Sequence, residues 1–389
     1  MNATEPRACV IGSMDLVRPL GLAGIDCTVV VEPGDVAAYS RFTRAVIPMA
    51  DPVREPELLL RRLLEHARIQ PEPPVLFYGT DADLLFVSRE REFLEPHLRF
   101  VVADAGLVED LTDKSRFIEL AQRLELPVPP AVRVQASAVS ADALGVEPPL
   151  VVKPVRHGRG NWSAVAGGAK ALGARTTAEL RSVWAPLAAE RLDVMVQREI
   201  PGPETRVESY HVYVDAAGER AGEFTGRKIR THPAAYGETT ALEITDEPDV
   251  AELGREIVRR LGLRGVAKLD FKRDPEGRLH LLEVNPRFNL WHHPGARAGV
   301  NLPALVFADL VGRPRPRPER ARPGVRWILH GHDALAARRQ GVPLRRWLRW
   351  AMSCEAKSIV ALDDPLPVIM GGIARAGAPL GLGPRGRRG

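Results

Sequence analysis

Residues 268–287 read KLDFKRDPEGRLHLLEVNPR, and the assignment of the fold begins with them. Two runs of alternating charged and apolar side chains flank the segment Asp274–Gly277, whose proline and glycine suit a tight turn. This arrangement predicts a β-hairpin. Because side chains alternate across a strand, we expect Asp270, Glu283 and Asn285 to share one face, within one diagonal cross-strand step of each other.

The other face of the predicted hairpin is apolar. Ala267, Leu269 and Phe271 come from the first run, and Leu282 and Val284 come from the second. Strands with one apolar face usually cover a core with that face. We therefore expect these five side chains to be buried.

The polar face places oxygen side chains beside three cations, Lys268, Lys272 and Arg287. Mg²⁺ prefers oxygen ligands and is usually held by a few carboxylates together with substrate phosphates. The pattern is therefore typical of a magnesium-phosphate site. A solvated hairpin face with weak surface ion pairs is the alternative that the hairpin alone leaves open.

The composition is that of an ordinary globular enzyme or binding protein. Of the 389 residues, 45% are hydrophobic and 26% are charged, and this length predicts two or three domains. Cys9, Cys27 and Cys354 are not spaced as metal ligands, and three thiols favour a reducing cytoplasm. No apolar stretch has the length of a membrane span and no signal-peptide pattern is seen, so we expect a cytoplasmic protein without a membrane partner.

The net charge of +5 is a small excess of 54 basic over 49 acidic residues, and part of it lies in the tail, residues 384–389. This tail is too short and too rich in glycine to fold alone. Aromatic residues make up only 5% of the chain, whereas nucleic-acid binding uses basic faces with interleaved aromatics. We expect no nucleic-acid partner, and an RNA-associated role would depend on charge alone.

The N-terminal part has a βαβ pattern. A strand at 8–12, a helix-like stretch to Gly24 and a strand at 27–31 predict the start of a doubly wound parallel sheet. No complete Gly-x-Gly-x-x-Gly follows the first strand, so a dinucleotide is not indicated. A strand at 75–78 precedes Thr80 and Asp81, which are candidates for substrate contact or, as we favour, for turn and helix-capping roles.

Two lysines in the middle of the chain stand in unusual places. Lys114 opens a helix, where its charge opposes the helix dipole, and Lys153 interrupts the apolar strand 148–155. The position of Lys114 hints at a role such as holding a phosphate, and Lys153 must either extend its amine to solvent or meet an anion. The basic, glycine-rich loop 156–163 follows Lys153, and its backbone amides suit phosphate oxygens.

The order of these features resembles that of the ATP-grasp superfamily over residues 5–312. The resemblance implies an α/β plus α+β fold, with a doubly wound pre-ATP-grasp domain (1–110) and an ATP-grasp domain (111–312). The latter divides into a first subdomain with the lid loop (about 111–195) and a second with the metal hairpin (196–312). The ATP-grasp domain is followed by a segment rich in proline and arginine (313–324), interpreted as a linker or extended arm. The last segment is a C-terminal extension (325–389).

The resemblance also implies roles for individual residues. Asp270, Glu283 and Asn285 match the family's metal ligands, which bind Mg²⁺ or Mn²⁺. The cations that match its catalytic groups are Lys228, Lys268 and Arg287. The positions that match its ATP-binding groups are Lys114, Lys153, Gly158, Gly160, Ser163, Gln197, Arg198, Glu199, Ile200, Glu204 and Lys228. In this set the segment 197–203 is the adenine-binding hinge and Glu204 holds the ribose.

The chain is most similar to the carboxylate-amine ligase branch, which includes D-alanine and D-aspartate ligase-like members. The resemblance implies ATP-dependent joining of a small carboxylic acid to an amine through an acyl phosphate, and it allows a homodimer. Arg230, Arg297 and the loop Thr231–Thr240 are candidates for binding the substrate carboxylate. A bicarbonate-activating carboxylase and a nucleotide-binding protein without turnover are the alternatives.

Overall fold

The computed structural model describes residues 6–155, 162–167, 169–316 and 320–377, with side chains as far as residue 371. The strands within these residues form three sheets, one of them parallel and the other two largely antiparallel. The described helices include none that is long and apolar enough to cross a membrane.

The first sheet is parallel, with the strand order β3-β2-β1-β4. Its strands are β1 (Ala8–Ile11), β2 (Cys27–Val31), β3 (Thr43–Pro48) and β4 (Val75–Tyr78). The neighbouring helices are α1 (Met14–Leu22), α2 (Pro56–Arg68), α3 (Asp81–Arg89), α4 (Arg91–Leu94) and α5 (Ala105–Thr112). The strand order reverses beside β1, as in doubly wound sheets, where this point commonly binds ligands. The predicted α/β architecture is confirmed.

Strand β3 was not predicted. It is an edge strand, its side chains are mostly accessible to solvent, and it ends at Pro48. Proline is tolerated in edge strands because no neighbour needs its missing N–H group. Strands β1, β2 and β4, by contrast, are buried over their whole length, as their apolar sequences predict.

The second sheet has the order β5-β8-β6-β7 and is antiparallel. Its strands are β5 (Ala131–Gln135), β6 (Leu150–Pro154), β7 (Leu172–Ala174) and β8 (Asp193–Arg198). Helices α6 (Lys114–Arg123), α7 (Trp162–Val165) and α8 (Thr177–Ala189) belong to the same part of the chain. The sheet has a core of its own, which includes Trp162 and Trp184.

The third and largest sheet has seven strands in the order β13-β12-β9-β10-β11-β14-β15. Its strands are β9 (Val207–Val214), β10 (Arg220–His232), β11 (Glu238–Thr245), β12 (Gly265–Arg273), β13 (Leu279–Asn285), β14 (Arg326–Ile328) and β15 (Ala356–Lys357). The remaining helices are α9 (Pro248–Arg260), α10 (His292–Arg297), α11 (Leu302–Leu310), α12 (His330–Arg339), α13 (Leu344–Ser353) and α14 (Leu366–Gly377). Strand β11 was not predicted, because its first residues belong to the stretch interpreted as a polar loop.

The C-terminal extension continues the large sheet and reaches the N-terminal domain. Strand β14 pairs with β11, and β15 pairs with β14. Beyond β15, the buried Arg18 of α1 donates hydrogen bonds to the carbonyl oxygens of Ser358 (3.0 Å) and Ile359 (2.8 Å). Asp364 accepts a hydrogen bond from Ser40 Oγ at 2.8 Å. The extension therefore joins the large sheet to the first domain.

The described part of the Pro/Arg linker is held to the protein surface by its arginines. Arg315 forms ion pairs with Asp215 and Asp309, Arg320 pairs with Asp246, and Arg322 pairs with Glu355. Ala321 is buried. In these residues the linker packs on the domain rather than extending from it as a free arm.

Candidate nucleotide and metal site

The predicted hairpin is formed by β12 and β13. Asp270 lies directly opposite Glu283, and Lys268 lies directly opposite Asn285, which is closer than the diagonal step expected from the sequence. The turn Asp274–Gly277 closes with a hydrogen bond from Gly277 N–H to Asp274 O at 3.1 Å. Gly277 has a φ of 88°, a conformation that favours glycine.

One side chain of the hairpin departs from the prediction because of a β-bulge. The pairing passes from Asp270 opposite Glu283 to Phe271 opposite Leu281, so Leu282 has no opposite residue. The extra residue shifts the alternation, and Leu281 joins Val284 in the core, whereas Leu282 is only half-buried. The expectation that Leu282 belongs to the buried apolar set was therefore wrong.

The three predicted metal ligands lie together at the open end of the hairpin. Asp270 is buried and accepts hydrogen bonds from Ser209 Oγ and from Lys268 Nζ, the latter at 2.5 Å. Asn285 Nδ2 donates to Glu283 Oε1 at 3.1 Å. Two carboxylates and one side-chain amide form a set of hard oxygen donors that fits Mg²⁺. Elsewhere in the described residues, no three Asp, Glu, His or Cys side chains form a metal-binding group.

Lysines from different elements converge electrostatically on Glu283. The charges of Lys228 and Lys268 act on Glu283, and the charge of Glu283 acts on Lys114 and Lys153. Lys114 is the first residue of α6, Lys153 lies in β6, Lys228 in β10 and Lys268 in β12. The fold thus brings together cations that are up to 154 positions apart in the sequence (268 − 114).

The pKa values of these groups reflect their crowding. Desolvation works to raise the pKa of Glu283, but the charges of Lys268 and Lys228 and the hydrogen bond from Asn285 lower it below its usual value. Burial lowers the pKa of Lys114 and of Lys153, and the negative charge of Glu283 opposes this shift in both. Bringing positive charges together in this way is unfavourable without an anion, so the cluster suits a phosphate ligand.

The predicted adenine hinge connects the second sheet to the large one. At its start, Gln197 Oε1 accepts a hydrogen bond from Lys153 Nζ at 2.9 Å, and Ile200 is buried. Glu204, the predicted ribose ligand, lies 3.6 Å from the buried Lys272 Nζ. The hinge therefore adjoins the lysine cluster, while its binding of adenine and ribose stays a prediction.

Two other hinge residues are held by neighbouring segments. The backbone N–H of Arg198 donates to Pro130 O, and that of Glu199 donates to Pro149 O, both at 2.9 Å. The carboxylate of Glu199 accepts a hydrogen bond from Tyr236 Oη at 2.9 Å. These contacts fix the backbone of the hinge against its own sheet.

Arg287 connects the hairpin to the first domain. Its Nε donates a hydrogen bond to Asp81 Oδ1, and its Nη1 donates one to Gly79 O at 2.9 Å. Thr80 caps α3 in a reciprocal capping box with Asp83, so the capping role favoured from the sequence is confirmed for Thr80. Asp81 holds the guanidinium of Arg287, an arrangement that the sequence did not predict.

Arg230 and Arg297, the predicted substrate arginines, have partners within the chain. Arg230 forms two hydrogen bonds with the carboxylate of Asp333, at 2.7 and 2.8 Å, and Arg297 pairs with Asp363 at 3.1 Å. Their guanidinium groups bind carboxylates of the extension, and their binding of a substrate carboxylate stays a prediction.

The structure describes only part of the predicted lid loop. Gly158 and Gly160 lie outside the described residues, and Ser163 is an exposed residue of α7. One neighbour of the metal ligands was missed by the sequence analysis: Ser209, which donates to Asp270. The sequence feature that could have identified Ser209 is its alternation with the apolar Tyr210 in β9, which places Ser209 on the polar face of the sheet.

Comparison with known proteins finds similarity to ATP-grasp proteins. Residues 191–329 match the family model described as ATP-grasp in the biosynthetic pathway with Ter operon. The chain is 30% identical over 207 residues to the D-alanine–D-alanine ligase of Stutzerimonas stutzeri, covering 51% of this chain and 62% of that protein. It is 23% identical over 335 residues to the D-aspartate ligase of Enterococcus faecium, covering 82% and 77%.

Solved structures support the same fold. The ADP complex of an N5-carboxyaminoimidazole ribonucleotide synthetase matches with a TM-score of 0.63 and 15% identity, covering 82% of this chain and 80% of that one. The L-amino acid ligase of Bacillus licheniformis matches with a TM-score of 0.60 and 16% identity, covering 84% and 79%. These identities are low and show the fold alone. That fold is the ATP-grasp fold expected from the sequence, and the family model and the related ligases point to the same group of proteins.

Proposed function

We propose that this protein is an ATP-dependent ligase that joins a carboxylate to an amine through an acyl phosphate and releases ADP and phosphate. The observation that carries the proposal is the convergence of lysines on the oxygen donors of the β12–β13 hairpin. Phosphoryl transfer needs positioning and charge neutralisation, which such a cluster supplies. The matched D-alanine and D-aspartate ligases favour amino acids or similar small acids as substrates.

The reaction has two steps in this proposal. A carboxylate oxygen of the substrate attacks the γ-phosphorus of ATP, the bond to the β–γ bridging oxygen breaks, and ADP leaves. The amine nitrogen then attacks the acyl carbon and expels phosphate, and the nitrogen loses a proton to phosphate or solvent. The products are an amide, ADP and phosphate.

The cations of the site act at successive places along the phosphates. Lys114 and Lys153 hold the phosphate oxygens of ATP, and Lys228 and Lys268 offset the negative charge of the transferring group. Arg287, oriented by Asp81 and Gly79 O, faces the acyl phosphate from the side of the first domain. The nucleophile is the substrate's own carboxylate, so no Ser-His-Asp arrangement is needed.

The oxygen donors would hold the metal ion of the reaction. Asp270, Glu283 and Asn285 suit Mg²⁺ or Mn²⁺ in donor type. A bound divalent ion would supply charge neutralisation at the phosphates of ATP. The lowered pKa of Glu283 keeps this carboxylate ionised, as a ligand must be.

The test is product analysis after incubation with MgATP and pooled amino acids and small carboxylic acids. We expect ADP, phosphate and a new mass equal to two members of the pool less water. AMP and pyrophosphate would contradict the acyl-phosphate mechanism. Turnover that depends on bicarbonate would indicate a carboxylase instead, and tight ATP binding without ADP release in any mixture would indicate a binding protein.

A further inference from the structure

Helix α13 carries a row of exposed apolar side chains. Its sequence is LRRWLRWAMS, and Leu344, Leu348 and Met352 are 69%, 45% and 74% exposed. Residues spaced by four lie above one another on a helix, so the three side chains form one continuous row, here named the α13 stripe. Contiguous exposed apolar groups on a folded protein usually mark a binding surface.

The inward side of the same helix is firmly attached to the protein. Trp347 Nε1 donates a hydrogen bond to Asp333 Oδ2 at 2.8 Å, and the ring of Trp350 lies 4.2 Å from the guanidinium carbon of Arg230. Ala351 and Cys354 are buried against Ile328 of β14. The helix already buries one face, so the α13 stripe is a second apolar surface, held in a fixed orientation.

Positive charge accompanies the α13 stripe. Arg345, Arg346 and Arg349 are exposed on the same helix, and residues 344–353 contain no acidic side chain. An exposed apolar row beside arginines is the pattern of helices that lie in the headgroup region of a membrane. The stripe suits the acyl chains of a lipid bilayer, and the arginines suit its anionic headgroups.

We propose that α13 binds the surface of a membrane containing anionic lipids, with Leu344, Leu348 and Met352 entering the boundary between headgroups and acyl chains. Arg345 and Arg349 contact lipid phosphates beside them. The helix lies along the surface and does not cross the bilayer. This inference revises the expectation of no membrane partner drawn from the sequence, and it is independent of the nucleotide site.

Charge and side-chain type disfavour the other occupants of the stripe. A second copy of the chain would bring the arginines of two α13 helices together without acidic partners on either helix. Surfaces that bind proteins usually present exposed aromatic side chains, but Trp347 and Trp350 both pack inward. A fluid anionic lipid surface needs neither a complementary pocket nor an aromatic anchor.

Co-sedimentation of the full chain with lipid vesicles tests the proposal. At low ionic strength we expect binding to vesicles of phosphatidylcholine with phosphatidylglycerol, and little binding to phosphatidylcholine alone. The double variant Arg345→Gln/Arg349→Gln should weaken binding on the order of thirtyfold, since each arginine near an anionic surface strengthens binding about fivefold. Leu348→Ser/Met352→Ser should weaken it by about tenfold or more.

The matched control is Arg61→Gln/Arg68→Gln, which removes the same charge from exposed positions of α2 in the first domain. It should leave vesicle binding unchanged, and all variants should keep the unfolding midpoint of the native protein. Absence of binding to the anionic vesicles, or equal binding by the α13 variants, would overturn the proposal. So would a dimer that Leu348→Ser/Met352→Ser dissociates, or binding to polyglutamate but not to vesicles.

Discussion

Two charge clusters lie on the large sheet, and they differ in how their charges are balanced. In the first, the fully buried Asp333 receives four hydrogen bonds of 2.7–2.9 Å, two from Arg230, one from Thr240 and one from Trp347. In the second, around Glu283, lysines from four elements surround two carboxylates. The first cluster is closed by hydrogen bonds within the chain, whereas the second brings lysines of four elements to the oxygen donors of the hairpin.

The difference indicates the role of each cluster. A saturated buried ion pair has no capacity left for a ligand, so the Asp333 cluster attaches the C-terminal extension to β10 and β11. In the second cluster burial lowers the pKa of Lys153, and the charges of Lys114 and Lys228 lower it further, so a bound anion would stabilise the charged amine. The same chain therefore uses one cluster for structure and offers the other to phosphate.

Removing the carboxylate of Glu283 should have the largest effect on activity. We expect Glu283→Gln to lower ADP release with the substrate pair on the order of 100- to 1,000-fold, because a charge-stabilising group is lost. Glutamine keeps the shape of the side chain but loses the charge that faces Lys228 and Lys268, so we expect a folded protein with a lower unfolding midpoint. Glu276→Gln, in the exposed hairpin turn, is the control and should be fully active. Near-normal turnover of Glu283→Gln would refute the metal assignment.

Breaking the saturated cluster should instead affect stability. Asp333→Asn leaves the guanidinium of Arg230, only 10% exposed, without its anionic partner, and we expect a loss of about 3–5 kcal/mol in the free energy of unfolding. Urea denaturation measures this loss. The double variant Asp333→Asn/Arg230→Met should recover part of it, since no buried charge remains unpaired. A loss below about 1 kcal/mol would mean that solvent reaches the pair.

The pH dependence should separate stability from nucleotide affinity. Burial lowers the pKa of Lys153 from its ordinary 10.5, and the charges of Lys114 and Lys228 act in the same direction. Between the lowered pKa and 10.5, the unfolded chain holds a proton that the folded protein has lost, so the stability of the nucleotide-free protein rises with pH. The affinity for ATP falls over the same window, because neutral Lys153 no longer attracts phosphate.

Urea titrations and binding of a non-hydrolysable ATP analogue across this pH range measure the two trends. Lys153→Met should flatten both of them, whereas Lys357→Met, whose amine contacts Cys354 O in the extension, should preserve them. Stability and affinity that change with pH in the same direction would contradict the account of Lys153.

Exposed ion pairs of the linker should matter least. Arg322 and Glu355 are 56% and 43% exposed, and solvent screens pairs of this kind. We expect Arg322→Gln to reduce the free energy of unfolding by less than about 1 kcal/mol, measured by urea denaturation beside Asp333→Asn. A loss as large as that of Asp333→Asn would show that exposure does not distinguish the two pairs.

Local patterns predicted the elements that carry the site. The turn Asp274–Gly277 and the alternation on either side of it were sufficient for the hairpin, and Asp113 and Lys114 mark the start of α6. The bulge at Leu282 could not be predicted, because nothing in the alternating sequence shows where an extra residue enters the pairing. Because of this one extra residue, Leu281 is buried in the core in place of Leu282.

Partners distant in sequence were the main omission. Asp81 and Arg287 are 206 positions apart, and Arg230 and Asp333 are 103 apart. Arginines at such positions look equally available in the sequence, and only the assembled sheets show which carboxylate each one meets. The carboxylate partners of Arg230 and Arg297 could not be predicted for this reason, whereas Lys114 and Lys153 had additional signals in their helix-start and mid-strand positions.

Calorimetric titration of the native protein with a non-hydrolysable ATP analogue, with and without Mg²⁺, tests the central claim most directly, since it needs no knowledge of the acid or the amine. The account predicts binding by the native protein that Mg²⁺ strengthens, and loss of this strengthening in Glu283→Gln but not in Glu276→Gln. Binding that is indifferent to Mg²⁺, or a Mg²⁺ effect that survives in Glu283→Gln, would contradict the claim that the β12–β13 hairpin holds the metal and the nucleotide.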